Sequence, residues 1–200
     1  MRKPRDGEDT RARVLQAAEE LFAEKGFSGA SLALISQRCG ISDGLILHHF
    51  QSKQNLYRQV LEALAGRYTR ELFQASGGAA SPQEMMQQAL AASFNFWKQD
   101  SAYQRISLWA YLEGETGLAD QEAALTVELV RQVGRLQEQG LVSARYTPMV
   151  FLTMIIGPIH FWLRYRDHFK DILNLPEPAA ELDRLFLDQL VTLVGDMARR

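Results

Sequence analysis

Residues Ser31–Phe50 read SLALISQRCGISDGLILHHF, and this stretch decides the fold. Ser31 is placed to cap a helix whose inner face carries Leu32, Ile35 and Cys39. Gly40 ends that helix, because a turn of a few residues needs backbone angles that a side chain resists. Ile41 plugs the turn. Ser42 then caps a second short helix, Asp43 to Phe50, in which Ile46 and Phe50 stand one turn apart and point to the core. Two short helices joined through such a turn form a helix-turn-helix, whose second helix enters the DNA major groove. The pattern taken alone also fits an ordinary pair of packed helices.

The flanking sequence continues the helical period. Upstream, Thr10 to about Lys25 carries Val14, Ala18, Leu21 and Phe22 as one apolar stripe, and Gly26 ends it with Phe27 folding back. Downstream, Ser52 caps a long helix reaching about Gln74, with Leu56, Val60, Leu64 and Tyr68 on one side. Residues 75–82, ASGGAASP, are the clearest loop. Further helices are predicted at Pro82–Gln99 and at roughly Tyr103–Glu113, Asp120–Gln139, Pro148–Arg166 and Ala179–Arg199. Pro158, mid-helix, is expected to kink its helix and free the Met154 carbonyl. No sustained two-residue alternation points to a strand, so the fold class is all-α.

Composition narrows the function. The 200 residues are 46% hydrophobic, enough for a small head and a larger body. The net charge of -2 advertises no nucleic-acid partner, so a DNA-binding surface must be local. Residues 1–60 hold 9 Lys and Arg against 7 Asp and Glu, a weak excess of the right sign. The single cysteine, Cys39, excludes an internal disulfide and fits a reducing cytoplasm. The charged N-terminus leads into no apolar run, so no signal peptide is expected. Met149–Leu163 is shorter than the ~20 apolar residues of a spanning helix and contains Gly157, Pro158 and His160, which predicts a buried helix and no membrane partner.

Catalytic patterns are lacking. Gly26-Phe27-Ser28-Gly29 has the look of a nucleophile elbow but follows a helix instead of a strand. Neither a phosphate loop nor an HExxH pair occurs. His48 and His49 are adjacent and diverge on a helix, so neither a metal site nor a cofactor is expected.

The run Gly26-Phe27, Ser31-Leu32, Ile35, Gly40-Ile41-Ser42, Gly44, His48, Phe50, Ser52-Lys53 and Leu56-Tyr57 resembles the tetracycline-repressor family across residues 8–68. That resemblance implies a helix-turn-helix DNA-binding domain over 8–68, with its motif at 31–50. It implies a helical ligand-binding and dimerisation domain over 69–200. The implied function is a transcriptional regulator and not an enzyme: a homodimeric repressor on a palindromic operator in double-stranded DNA, controlled by a small-molecule effector. The DNA-facing residues it implies are Ser31, Ala33, Asp43, Gly44, Leu45, Leu47, His48 and His49, with Lys53 as a phosphate contact. Asp43, Leu45 and Leu47 stand where the family often has Lys, Thr and Tyr, and Ala30 replaces a frequent Thr, so the reading face is more apolar. A basic tail of Arg2, Lys3, Arg5, Arg11 and Arg13 is expected to add phosphate contacts. Phe94, Trp97, Trp109, Glu113 and His160 are the expected pocket residues. The alternative is a helical protein-interaction or ligand-carrying module with a degenerate head.

Overall fold

Local capping sets the first elements. The Ser31 hydroxyl accepts from the Leu34 N–H at 3.2 Å and opens a helix that closes at Gly40, where φ is 68°. The Ser42 hydroxyl accepts from Leu45 at 3.4 Å and opens the next, and Ser52 does the same for Asn55 at 3.1 Å. In this computed structural model, which describes residues 5–114 and 120–198, every described element is helical. The order is α1 (Arg5–Gly29), α2 (Leu32–Cys39), α3 (Asp43–Phe50), α4 (Lys53–Ser76), α5 (Pro82–Gln99), α6 (Ser101–Leu112), α7 (Asp120–Glu138), α8 (Pro148–Ile172) and α9 (Ala179–Ala198). Arg2 and Lys3 of the basic tail, and Arg199 at the end of the last predicted helix, lie outside the described residues.

The chain divides into two compact units. The first comprises Met1–Arg67 with Asp100–Ala123, and the second Tyr68–Gln99 with Ala124–Arg200. Along the chain, the first break lies between Arg67 and Tyr68. α6 packs on α1 and groups with the first unit, where the sequence expectation has it in the body, 69–200. The reason is a set of long-range ties that sequence spacing does not encode. Arg105 of α6 donates to the Ala23 carbonyl at 2.7 Å. Arg67 is held by Glu19 at 2.9 Å and by Asp100, the N-cap of α6, at 2.8 Å.

The first unit is built on Val14, Ala18, Leu21 and Phe22 of α1, which are buried with Ile35, Ile46, Phe50 and Leu56. In the second unit α5, α8 and α9 pack against one another. Trp162 and Phe186 stack there at 4.7 Å between ring centroids. α8 runs unbroken from Pro148 to Ile172 with Pro158 inside it.

One buried carboxylate ties this second unit together. Asp183 of α9 is 2% exposed and accepts from Lys98 of α5 at 2.9 Å, from Arg166 of α8 at 2.9 Å and from the Trp162 indole at 2.9 Å. Burial raises its pKa, but the donors from Lys98, Trp162 and Arg166 outweigh burial and hold it below its ordinary value. Removing one partner of such a cluster strands the others. Asp183→Ala is therefore expected to lower unfolding stability by about 3 kcal/mol, at the lower end for a broken buried pair because Lys98 still reaches water. Urea unfolding followed by circular dichroism measures it; a change under about 0.5 kcal/mol, the level of an ordinary surface substitution, would remove the cluster's structural role.

Candidate nucleic-acid interface and ligand cavity

α3 presents one face inward and one outward. Ile46 and Phe50 are fully buried, whereas Asp43, Gly44, Leu45, Leu47 and His48 are exposed and His49 is half-buried. Leu45 and Leu47 are 38% and 40% exposed on a helix of eight residues, an apolar outward face that folding of the unit does not use. A Cβ added at Gly44 would meet nothing within 4 Å, so the backbone there is open to close approach. Ser31 and Ala33 are exposed at the start of α2 beside it. Eight of the nine predicted DNA-facing residues are thus exposed or half-buried on α3, at the N-cap of α2 and in its first turn.

Lys53 behaves differently. Its ammonium donates to the Phe27 carbonyl at 2.7 Å and sits 4.2 Å from the Phe27 ring centroid. The half-buried Lys53 is thus bonded within the first unit, at the position where the sequence predicts a phosphate contact. Other cations are similarly engaged. Arg13, expected in the basic tail, donates to the Cys39 carbonyl at 2.6 Å and so closes the C-terminus of α2. Arg11 donates to Gln59 at 2.7 Å, and Arg38 pairs with Glu20 and Glu24 at 3.2 and 3.0 Å.

The joint that positions α2 and α3 is at Gly26. There the backbone leaves the helical region, with φ 71° and ψ -179°, a combination essentially reserved for glycine. The break exposes the N–H groups of the next residues, and Glu113 receives them: Phe27 donates to it at 2.9 Å and Ser28 at 3.0 Å. Trp109 fills the space against the glycine. Glu113 and Trp109 were predicted to line a ligand pocket; the structure commits them instead to bracing the first unit. Sequence reasoning saw the glycine but not its clamp, which comes from 86 residues away.

A cavity of about 280 Å³ lies wholly within the second unit. Tyr68, Leu72 and Phe73 of α4 form one wall, and Met85, Met86 and Ser93 of α5 another. Leu129, Gln132 and Leu136 of α7 and Phe151, Leu152 and Ile155 of α8 complete it. None of the five predicted pocket residues lines it. Phe94 and Trp97 are buried in packing: Phe94 faces Phe186 at 6.0 Å, and the rings of Trp97 and His160 lie 4.2 Å apart. The prediction followed the aromatics, whereas the lining is mostly aliphatic and thioether. The usable signal was the apolar stripe Phe151, Leu152, Ile155, Ile156 on one side of α8. Among the described residues no group of three or more His, Cys, Asp or Glu is arranged to hold a metal. No described helix is long and apolar enough to cross a membrane.

Comparison with known proteins decides the family. Residues 14–60 match the family of bacterial regulatory proteins called tetR. The HTH-type transcriptional activator FasR of Mycolicibacterium smegmatis is 31% identical over 166 residues, covering 81% of this chain and 75% of FasR. The chain belongs to the tetR family. It is therefore a DNA-binding transcriptional regulator and not an enzyme. The HTH-type transcriptional regulator UidR of Escherichia coli K12 is 43% identical over 56 residues, only 28% of this chain and 29% of UidR. A crystal structure of a TetR family regulator from Marinobacter aquaeolei VT8 matches the fold with a TM-score of 0.76 at 14% identity, over 95% of this chain and 97% of that one.

Two outcomes follow from this geometry. Gly26→Ala puts a Cβ 2.7 Å from the Glu113 carboxylate and forces a non-glycine residue into a glycine-only conformation. A loss of about 3 kcal/mol is expected in urea unfolding of the whole chain; wild-type stability would mean the joint is not strained. His160 is lowered from 6.5 to about 4, first by burial and then by Arg164, so it is buried neutral. Its contribution is complete above pH 6.5 and is lost as pH falls toward 4, since the unfolded chain takes the proton first. His160→Leu should flatten the stability–pH curve in that window; an unchanged slope there would contradict it.

Proposed function

We propose that the chain is a homodimeric repressor whose binding to a palindromic operator is controlled by a small uncharged effector held in the α4–α5–α7–α8 cavity. The observation that carries this reading is the outward face of α3, where exposed Leu45 and Leu47 flank Gly44 and no packing of the first unit uses them. Leucines contact thymine methyls, and Asp43 is able to accept from a cytosine amino group. Ser31 and Ala33 then lie against the backbone, where helix N-terminal N–H groups favour phosphate. With Lys53, Arg13 and Arg38 already bonded to groups of their own unit, one head alone binds weakly, and two heads on a palindrome supply the affinity.

A second copy of the chain has a surface to pair on. Val150, Met154, Phe161, Tyr165 and Ile172 are 40–56% exposed along α8, and their spacing of three to four residues, or multiples of it, keeps them on one side. On α9, Leu185 and Leu193 are each 53% exposed and share a face. Two such helices per copy make a four-helix interface. Exposed apolar faces of this extent mark association sites.

α4 serves both functions. Its first residue, Lys53, holds Phe27, and its later residues Tyr68, Leu72 and Phe73 line the cavity. A ligand that prefers one setting of this helix shifts the population of DNA-competent dimers. FasR is named an activator. Repression is the reading kept for this chain because a dimer seated on an operator blocks polymerase without any further contact.

The test is a mobility-shift titration against the DNA upstream of the chain's own coding sequence. A retarded band is expected whose affinity falls as salt rises from about 50 to about 200 mM. No band at low salt would sink the reading. Leu47→Ala should weaken specific binding about fivefold and leave the salt slope unchanged, since base contacts release no counterions. Phe161→Glu combined with Leu193→Glu should convert the dimer to a monomer in sedimentation and abolish binding to the full palindrome. A dimer that persists in this variant would place the interface elsewhere.

A further inference from the structure

The cavity's chemistry limits what enters it. Every side chain that lines it is uncharged, and only Tyr68, Ser93 and Gln132 bring polar side-chain atoms. Two of the three are already partnered: the Tyr68 and Ser93 hydroxyls lie 3.0 Å apart, buried, and hydrogen-bond each other. Gln132 differs. Its amide nitrogen donates to the Met85 thioether at 3.6 Å, and a thioether is a weak acceptor. An oxygen acceptor brought into the cavity would replace that contact at a gain. Met85 and Met86 are unbranched and repack around different shapes.

From these observations we infer that the effector is an uncharged, largely apolar molecule carrying one carbonyl-type oxygen, which accepts from the Gln132 amide after displacing Met85. The inference rests on the reading of this cavity as the effector site. A free carboxylate or phosphate within the cavity would be desolvated with no cation to meet it, and that cost excludes it. An ester, ketone or lactone keeps the oxygen and loses the charge. Specificity then comes from one exchangeable hydrogen bond in an adaptable apolar wall, a pattern that admits a class of ligands and discriminates by charge.

The probes are methyl decanoate, sodium decanoate and decanoyl-coenzyme A, titrated calorimetrically into the full-length protein. Saturable binding of the ester at one per chain is expected, at least tenfold tighter than decanoate and than the coenzyme A thioester. Gln132→Leu should weaken the ester about fivefold without shifting the melting temperature, the size expected for one hydrogen bond. Ala89→Leu, which narrows the cavity from α5, should weaken it at least tenfold. Decanoate or the thioester binding as tightly as the ester, or no ester binding, would overturn the inference. So would unchanged ester affinity in either variant. Operator binding is measured in parallel. Ester binding as expected with no change in operator affinity leaves the effector chemistry standing and overturns only the ligand control of DNA binding.

Discussion

The first unit depends on a single interruption of helical geometry at Gly26. A helix that continued there would carry Phe27 and Ser28 past the point from which α2 starts. The break leaves two N–H groups and one carbonyl without helical partners. Glu113 takes the N–H groups and Lys53 takes the Phe27 carbonyl. The part-buried Phe27 N–H and carbonyl, if they lost these partners, would carry a desolvation cost comparable to a lost hydrogen bond. The joint therefore works only when α1, α4 and α6 are all in place. That requirement makes α6 part of the first unit in physical terms, although it lies far downstream in the chain.

The same requirement explains how cations are used. In a family of DNA-binding proteins, positive charge is expected on the surface that meets phosphate. Here Lys53 and Arg13 are turned onto backbone carbonyls, and Arg38 and Arg67 are neutralised by pairs of carboxylates. What α3 turns outward is instead apolar, with one carboxylate at its first residue. Under the proposed function, recognition leans on base contacts and on pairing of two heads more than on the charge of one.

The second unit separates charge from its cavity. Asp183, Lys98 and Arg166 meet in one satisfied cluster where α5, α8 and α9 converge. The cavity, bounded by α4, α5, α7 and α8, holds no charged side chain. Charge is placed where it is fully paired and orients helices, and the cavity keeps a low polarity that favours apolar guests.

The amino-acid sequence by itself determined the helices, their caps and the motif. Ser31, Gly40, Ser42 and Ser52 act through bonds that span three or four residues, so their effects are legible in order along the chain. The alternation of buried Ile46 and Phe50 with outward Leu45 and Leu47 is equally local, and the family resemblance lay in the same stretch. Tertiary structure alone decided the rest. Lys53 turned inward because a carbonyl 26 residues away lay within reach. Glu113 and Trp109 became a brace because α6 docks on α1. The cavity formed where four helices fail to fill the space among aliphatic side chains, so the aromatics that drew attention are packed elsewhere. Periodicity specifies which face of a helix is apolar; it carries no record of which apolar face another will meet, or where the meeting leaves a gap.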